Sequence, residues 1–209
     1  MRGVPSVRGG GDGPVGPTLG VMTTEIGRLL GAAGPGTVAV VRGTADGQFD
    51  LPTPCAEFRV RDLVNHLFEV VVNFQALAVR QPVDWAEKPD FLTGDWRERF
   101  EVETDRVVRA WSDPAALEGT SPMMGMPQQV VGGMILMDLI VHGWDLAAAT
   151  GQPYDPAPET LPPSVALIAQ LAPQGRQYGV FGAEVATGPD APELDRLLGL
   201  AGRNPAWGR

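Results

Sequence analysis

Apolar residues recur every three to four positions along the middle of the chain, and this spacing predicts amphipathic helices. One predicted helix extends from about Val60 to Arg80, where Pro82 ends it. Another extends from about Gly94 to Trp111 and alternates apolar residues with many charged ones, up to the stop at Pro114. Each of these helices therefore has one face for a core and one for solvent.

A further predicted helix, from about Gln128 to Thr150, is apolar on nearly all of its faces. Gly151 and Pro153 follow it and mark its carboxyl end. Because a helix without a polar face needs cover on all sides, we expect this one to be the central, buried helix of the fold.

Helical character begins earlier, where Thr23 or Thr24 can cap a helix that includes Leu30. The tripeptide Gly34–Gly36 has a proline at its centre, which we expect to break or distort that helix. A weaker helical stretch then resumes over Val38–Arg42.

Two shorter helices are predicted near the end, at Ser164–Leu171 and Pro192–Leu200, and no series of strands is apparent. The sequence therefore predicts an all-α fold, a four-helix bundle with a short irregular C-terminal extension. Residues 1–20 include seven glycines and three prolines, so we expect 1–21 to be a disordered leader. The bundle is then 22–152, and 153–209 is a proline-rich link with a short extension packed on it.

Composition narrows the possible functions. The 209 residues are enough for about one domain at roughly 150 residues each. A net charge of -9 argues against nucleic-acid binding, which needs a basic surface. One cysteine excludes an intrachain disulfide and a multi-cysteine zinc site, and two histidines exclude a three-histidine site. With no transmembrane or secretory segment apparent, we expect a cytoplasmic monomer or homodimer that binds no membrane.

The two histidines lie on the two most apolar predicted helices. Asp138 and His142 are four residues apart on the central helix, so both side chains are on one face, and Asp145 continues that stripe. His66 lies on the inward face of the second helix. A carboxylate on an apolar helix is costly to bury without a partner. We therefore predict a metal site of His66, Asp138 and His142 with open coordination positions.

Other interpretations remain open at this point. Each histidine can be a hydrogen-bonded core residue, and Asp138 can simply hydrogen-bond to His142. Asp145 either orients a metal-binding imidazole or is a solvent-exposed carboxylate near the helix end. Cys55 is either a reactive thiol or a structural part of its turn.

Two stretches resemble a known family. Residues 53–66, which read TPCAEFRVRDLVNH, are similar to the second-helix signature of the DinB/YfiT-like superfamily, in particular its actinobacterial mycothiol-dependent maleylpyruvate isomerase type. Residues 138–151, DLIVHGWDLAAATG, resemble the fourth-helix signature. The likeness extends over about Thr23 to Trp207. Phe58 replaces the motif tryptophan, which we expect to change packing only, and Asp138 replaces a longer glutamate.

The resemblance implies a divalent metal held by His66, Asp138 and His142, with zinc expected first and nickel, iron or manganese as alternatives. It also implies mycothiol as a thiol cosubstrate that attacks an electrophilic small molecule, in a thiol transferase or isomerase reaction. A hydrolase that uses a metal-activated water at the same ligands and a non-catalytic binding bundle are the other possibilities. The isomerase has a larger C-terminal domain than this chain, so the substrate stays open. Arg176 and Tyr178 are candidate substrate contacts at the mouth of the site.

Overall fold

Six α-helices form the part of the chain that the structure, a computed structural model, describes, namely residues 23–208. The expected leader, 1–21, lies outside the described residues. No β-strand occurs within 23–208, so the predicted all-α class is confirmed. The helices are α1 (Glu25–Gly43), α2 (Val60–Ala78), α3 (Trp96–Ser112), α4 (Gln128–Thr150), α5 (Leu161–Gln177) and α6 (Glu193–Leu200).

The first four helices make the bundle. Helices α1 and α2 each pack against both α3 and α4. Their inward faces carry the fully buried large side chains expected from the spacing of three and four, because only one stripe of each helix faces the core. Across the four helices these include Leu30, Leu63, Leu67, Phe68, Phe100, Trp111, Ile135 and Leu139. The result is the four-helix bundle that the sequence predicts.

Of the two expected effects of the Gly-Pro-Gly tripeptide, a break or a distortion of α1, the break does not occur. Thr24 caps the helix by accepting a hydrogen bond from the Gly27 amide, and the helix then runs through Pro35 without interruption. Proline removes one backbone hydrogen bond. Burial on both sides of it outweighs that loss, since tertiary packing contributes more to a helix than propensity does. The buried residues are Leu29, Leu30 and Ala33 before the proline and Val38, Val40 and Val41 after it.

Helix α4 is the most deeply covered element. It is long and apolar enough to cross a membrane by length and composition alone, but 83% of its most apolar window is buried inside the protein. Its uniform apolarity is thus explained by contacts with α1, α2 and α5. Gly151 ends it in the left-handed conformation with φ of 70°, which glycine adopts at no steric cost.

The C-terminal extension contains a longer helix than the sequence predicts. The expected helix at 164–171 is in fact α5, Leu161–Gln177, which starts on two prolines in its first turn and continues through Pro173. Prolines in a first turn lose no helical hydrogen bond, and Ile168 and Ala172 are buried. Helix α5 packs on α4 and α6, and the tail after α6 returns to α4.

Candidate metal centre

Packing of α2 on α4 places His66, Asp138 and His142 side by side. One ligand atom from each of the three lies within 4.8 Å of the others. The two imidazole rings are nearly perpendicular, with centroids 4.8 Å apart. Ligands of a tetrahedral zinc ion at about 2.1 Å are themselves roughly 3.4 Å apart, so side-chain rotations of about 1 Å would close the set around an ion.

The Asp138 carboxylate makes no hydrogen bond to any residue of the described range, 23–208. Its Oδ1 is 4.0 Å from His142 Nε2, which is too long for a hydrogen bond. Its side chain keeps 29% of its surface, and this surface borders a cavity. His142 and Arg203 attract it electrostatically without a hydrogen bond. The alternative of a simple Asp138–His142 hydrogen bond is therefore wrong, and the carboxylate is available to a cation.

Asp145 instead bonds to His142. Its Oδ2 lies 3.0 Å from His142 Nδ1, and its side chain is fully buried. Because an ionised carboxylate only accepts, Nδ1 donates the hydrogen, and in the neutral imidazole this tautomer has its lone pair on Nε2, on the side of Asp138. The guanidinium of Arg203 donates to the same Oδ2 from 3.2 and 3.3 Å. A buried carboxylate-cation pair therefore fixes the orientation of the His142 ring.

His66 also has a carboxylate paired with a cation near its Nδ1 atom, although at a longer distance. Glu69 lies three residues after it, as Asp145 does after His142, and Glu69 Oε2 is 3.9 Å from His66 Nδ1. The Lys88 ammonium donates to both Glu69 oxygens, at 3.0 and 3.1 Å. Sequence reasoning missed Glu69, Lys88 and Arg203. The one available signal was the repeated spacing of an acid three residues after each histidine.

Burial shifts the pKa of two of these groups. Removal from water, helped by the nearby His142, Lys88 and Arg203, lowers the pKa of His66 to about 3. Burial raises the pKa of Asp138 to about 6, against the attraction of His142 and Arg203. At neutral pH His66 is thus a neutral imidazole and Asp138 is mostly ionised. These are the forms in which both side chains bind a divalent metal.

Cys55, His142 and Asp145 form a second group whose ligand atoms lie within 4.8 Å of one another. It is the poorer metal site for two reasons. Arg203 already binds Asp145 and would repel a cation there. Burial also raises the pKa of the Cys55 thiol, whereas only the thiolate is a good ligand. Thr53 donates hydrogen bonds to the Cys55 and Phe58 carbonyls, which supports the structural interpretation of this turn.

The centre lies between two open spaces. A mostly apolar cavity of about 470 Å³ borders Asp138 and both histidines. A polar groove of about 620 Å³ lies on the other side of His66, between α2 and the segment before α3. Glu57, Phe58 and His66 border both spaces. The Phe58 ring stacks on His66 at 5.2 Å, so the residue that replaces the motif tryptophan contacts the site itself as well as the core.

The two candidate substrate contacts lie elsewhere. Arg176 donates hydrogen bonds to the Gly182 and Leu200 carbonyls and pairs with Glu184, which ties the tail together. Tyr178 is 75% exposed. Neither residue borders the cavity; the adjoining Val180 and Phe181 do.

Comparison with known proteins gives a consistent result. The family model described as the mycothiol maleylpyruvate isomerase N-terminal domain matches residues 30–147, which include all three predicted ligands. Two relatives are uncharacterized proteins of Mycobacterium tuberculosis, one from strain CDC 1551 / Oshkosh and one from strain ATCC 25618 / H37Rv. Each is 30% identical over 172 residues, which cover 79% of this chain and 90% of the relative. No solved structure matches.

Proposed function

The chain belongs to the mycothiol maleylpyruvate isomerase N-terminal domain family, and from that premise we propose that it is a divalent-metal-dependent enzyme that activates a low-molecular-weight thiol. The thiol is mycothiol, and the ligands are His66, Asp138 and His142. The observation that carries the proposal is that an unbonded carboxylate and two imidazoles from different helices converge on the wall of a cavity. Zinc is the metal expected first, because this donor set with open positions is typical of catalytic zinc sites.

Metal binding would supply one thing that the side chains lack. A divalent ion keeps a coordinated thiol ionised near neutral pH, so that its sulfur is a nucleophile. The chain contributes the rest. Asp145, which Arg203 binds, holds His142 in one orientation through a hydrogen bond. The Glu69–Lys88 ion pair lies next to His66, with Glu69 3.9 Å from its Nδ1 atom. His142 therefore keeps its orientation before the metal arrives, and small rotations of the side chains complete the ligand set.

The two spaces beside the centre support a reaction of two substrates. The polar groove is bordered by Arg61, Asp62, Asn65, Lys88 and Asp90, which match the hydrophilic body of a small thiol. The apolar cavity on the opposite side is free for the molecule that the sulfur attacks. Both meet at His66, so the two reactants would approach each other at the metal ligands.

The chemistry of the step is nucleophilic attack at carbon. The thiolate gives an electron pair to an electrophilic carbon and a carbon–sulfur bond forms. In a transfer, the leaving group departs with its bonding pair. In an isomerisation, the pair of the attacked double bond moves to the neighbouring carbon, rotation follows, and the reverse step expels the thiolate. The thiol proton goes to solvent or to the leaving group, so each route is balanced without an oxidant.

Cobalt substitution tests the metal and the thiol together. We expect Co²⁺ to bind the wild-type protein and mycothiol to change its visible absorption, whereas His66→Ala and His142→Ala bind no cobalt. Cys55→Ser is the matched control and should keep the mycothiol response, because the responding sulfur is the added one. A wild-type protein that stays metal-free after supplementation with zinc, nickel, iron and manganese would refute the proposal. Bound cobalt that no thiol perturbs would refute its thiol part and favour hydrolysis by a metal-activated water.

A further inference from the structure

The cavity beside the metal ligands is lined mainly by large apolar side chains. Three of them are methionines, and three others come from α2, α5 and the segment before α3; together they are Met124, Met134, Met137, Phe74, Trp85 and Ile168. Methionine is flexible and polarisable, so a wall rich in it adapts to apolar ligands of several shapes. A volume of about 470 Å³ is within the usual range of small-molecule sites.

The charged side chains on the cavity wall disfavour the binding of an anion. Among the described residues that line it, the charged ones are Glu57, Asp138 and Arg203. The guanidinium of Arg203 already donates hydrogen bonds to the Asp145 carboxylate, at 3.2 Å, and to the Ala201 carbonyl, at 2.7 Å. An anionic substrate would therefore lose its hydration without gaining a free cationic side chain, which is strongly unfavourable. The remaining positive charge there is the metal ion, whose open position the proposed function gives to the thiolate.

We infer that the cavity takes an uncharged, apolar electrophile as the second substrate, and this inference rests on the proposed function. Its electrophilic carbon would receive the electron pair of the thiolate at the end of the cavity bordered by His66 and His142. A dianionic dicarboxylate such as maleylpyruvate is the kind of molecule that this wall rejects. The substrate class of this chain thus differs from that in the name of its family.

A matched pair of fluorescent probes tests the inference. N-phenyl-1-naphthylamine is uncharged, and 8-anilino-1-naphthalenesulfonate is the same aromatic body with a sulfonate. We expect the uncharged probe to bind at least about tenfold more tightly, because the sulfonate would be buried unpaired. Equal or tighter binding of the sulfonate would overturn the inference.

Substitutions at two neighbouring methionines test whether the probe binds in this cavity. Met124 lines the cavity, whereas Met123 is 42% exposed and does not line it. Met124→Asp should weaken binding of the uncharged probe about tenfold, and Met123→Asp should leave it unchanged. Met124→Gln serves where the aspartate variant unfolds, and a loss of about threefold is then expected. If the Met123 and Met124 variants bind the probe equally, the cavity is not its site and the inference fails.

The probe titrations need neither metal nor thiol, so their result is separate from the cobalt experiment. Failure of cobalt binding with normal probe selectivity refutes the proposed function, and with it the role of the bound molecule as a substrate. Normal cobalt and mycothiol responses with no preference for the uncharged probe refute only the substrate class.

Discussion

The Nδ1 atom of His142 donates a hydrogen bond of 3.0 Å to the carboxylate of Asp145, one turn further along α4. Asp145 is fully buried, and Arg203 from the C-terminal tail binds the same oxygen. The C-terminal tail is thus linked to the proposed metal centre through Asp145 Oδ2, which binds both Arg203 and His142. The same relationship fixes the tautomer of His142 and thus the nitrogen that remains for a metal.

Asp145→Asn should weaken metal binding by about 10–100-fold, because the neutral amide orients the His142 ring less firmly and leaves Arg203 without its counter-charge. Dissociation constants from competition with a zinc-binding dye measure the effect. Asp155→Asn, an exposed carboxylate in the link after α4, is the control and should bind as the wild type does. An unchanged constant in a folded Asp145→Asn protein would show that this pair does not support the ligand.

Metal should also stabilise the fold in a way that identifies the ligand set. A metal present at 100 times its dissociation constant adds about 2.7 kcal/mol to the free energy of unfolding when it binds the native state alone. We expect this gain, measured as a rise in melting temperature that a chelator reverses, in the wild type and in Cys55→Ser. Asp138→Asn should lose it. The opposite result for these two variants would assign the metal to Cys55, His142 and Asp145.

Periodicity was enough to predict α2 and α3, and a long, almost uniformly apolar segment was enough to predict α4, because proline or glycine marks the end of each. It failed at Pro35 and Pro173, where a local rule predicts an end but packing against neighbouring helices keeps the chain helical. Burial is a property of the assembled bundle, so it cannot be read from a window of neighbouring residues.

In the candidate site, too, the local sequence pattern predicts some residues, whereas others depend on tertiary packing. That His66, Asp138 and His142 come together was predictable, because the apolar residues around each indicate a helix face turned toward the bundle. Glu69 was within reach by its spacing from His66, but its partner Lys88 is on an exposed segment with no regular pattern. Arg203 lies 58 positions from Asp145, and only the return of the tail brings them together. Pairing over such distances depends on loop paths that the sequence pattern does not specify.

Two helical glycines, Gly132 on α4 and Gly31 on α1, face side chains of α3 at different distances, which predicts opposite effects of an added Cβ. A Cβ on Gly132 would lie 2.8 and 2.9 Å from ring carbons of the fully buried Trp111, whose Nε1 is held by the Phe74 carbonyl. Gly132→Ala should therefore destabilise the protein by about 1–3 kcal/mol. Gly31→Ala is exposed and meets only Val108 at 3.8 Å, so it should stabilise by about 0.5–1 kcal/mol. Urea unfolding measures both, and a tolerant Gly132 would mean that the helices sit further apart.

Tyr154 makes the link after α4 sensitive to alkaline pH. Its hydroxyl donates to the Leu139 carbonyl at 3.3 Å, beside the hydroxyl of Thr37. Burial raises its pKa to about 12, while the hydrogen bond with Thr37 acts weakly the other way. An unfolded tyrosine has a pKa of about 10. Above that pH the unfolded chain releases its proton first, so the stability contributed by Tyr154 is complete below pH 10 and is lost as the pH rises through 12.

Tyr154→Phe removes both the hydrogen bond and this titration. At pH 8 the variant should be less stable than the wild type by about 1 kcal/mol, the usual contribution of one hydrogen bond. At pH 11 the gap should close or reverse. This pH is one unit above the pKa of the unfolded tyrosine, so deprotonation of the unfolded wild-type chain lowers its free energy of unfolding by about 1.4 kcal/mol. Free energies from urea unfolding at the two pH values test this, with Tyr178→Phe as the control because that ring is 75% exposed and its change should be equal at both. A gap that stays constant between pH 8 and pH 11 would show that the Tyr154 hydroxyl is hydrated in the native protein and that the link is not fastened to the bundle through it.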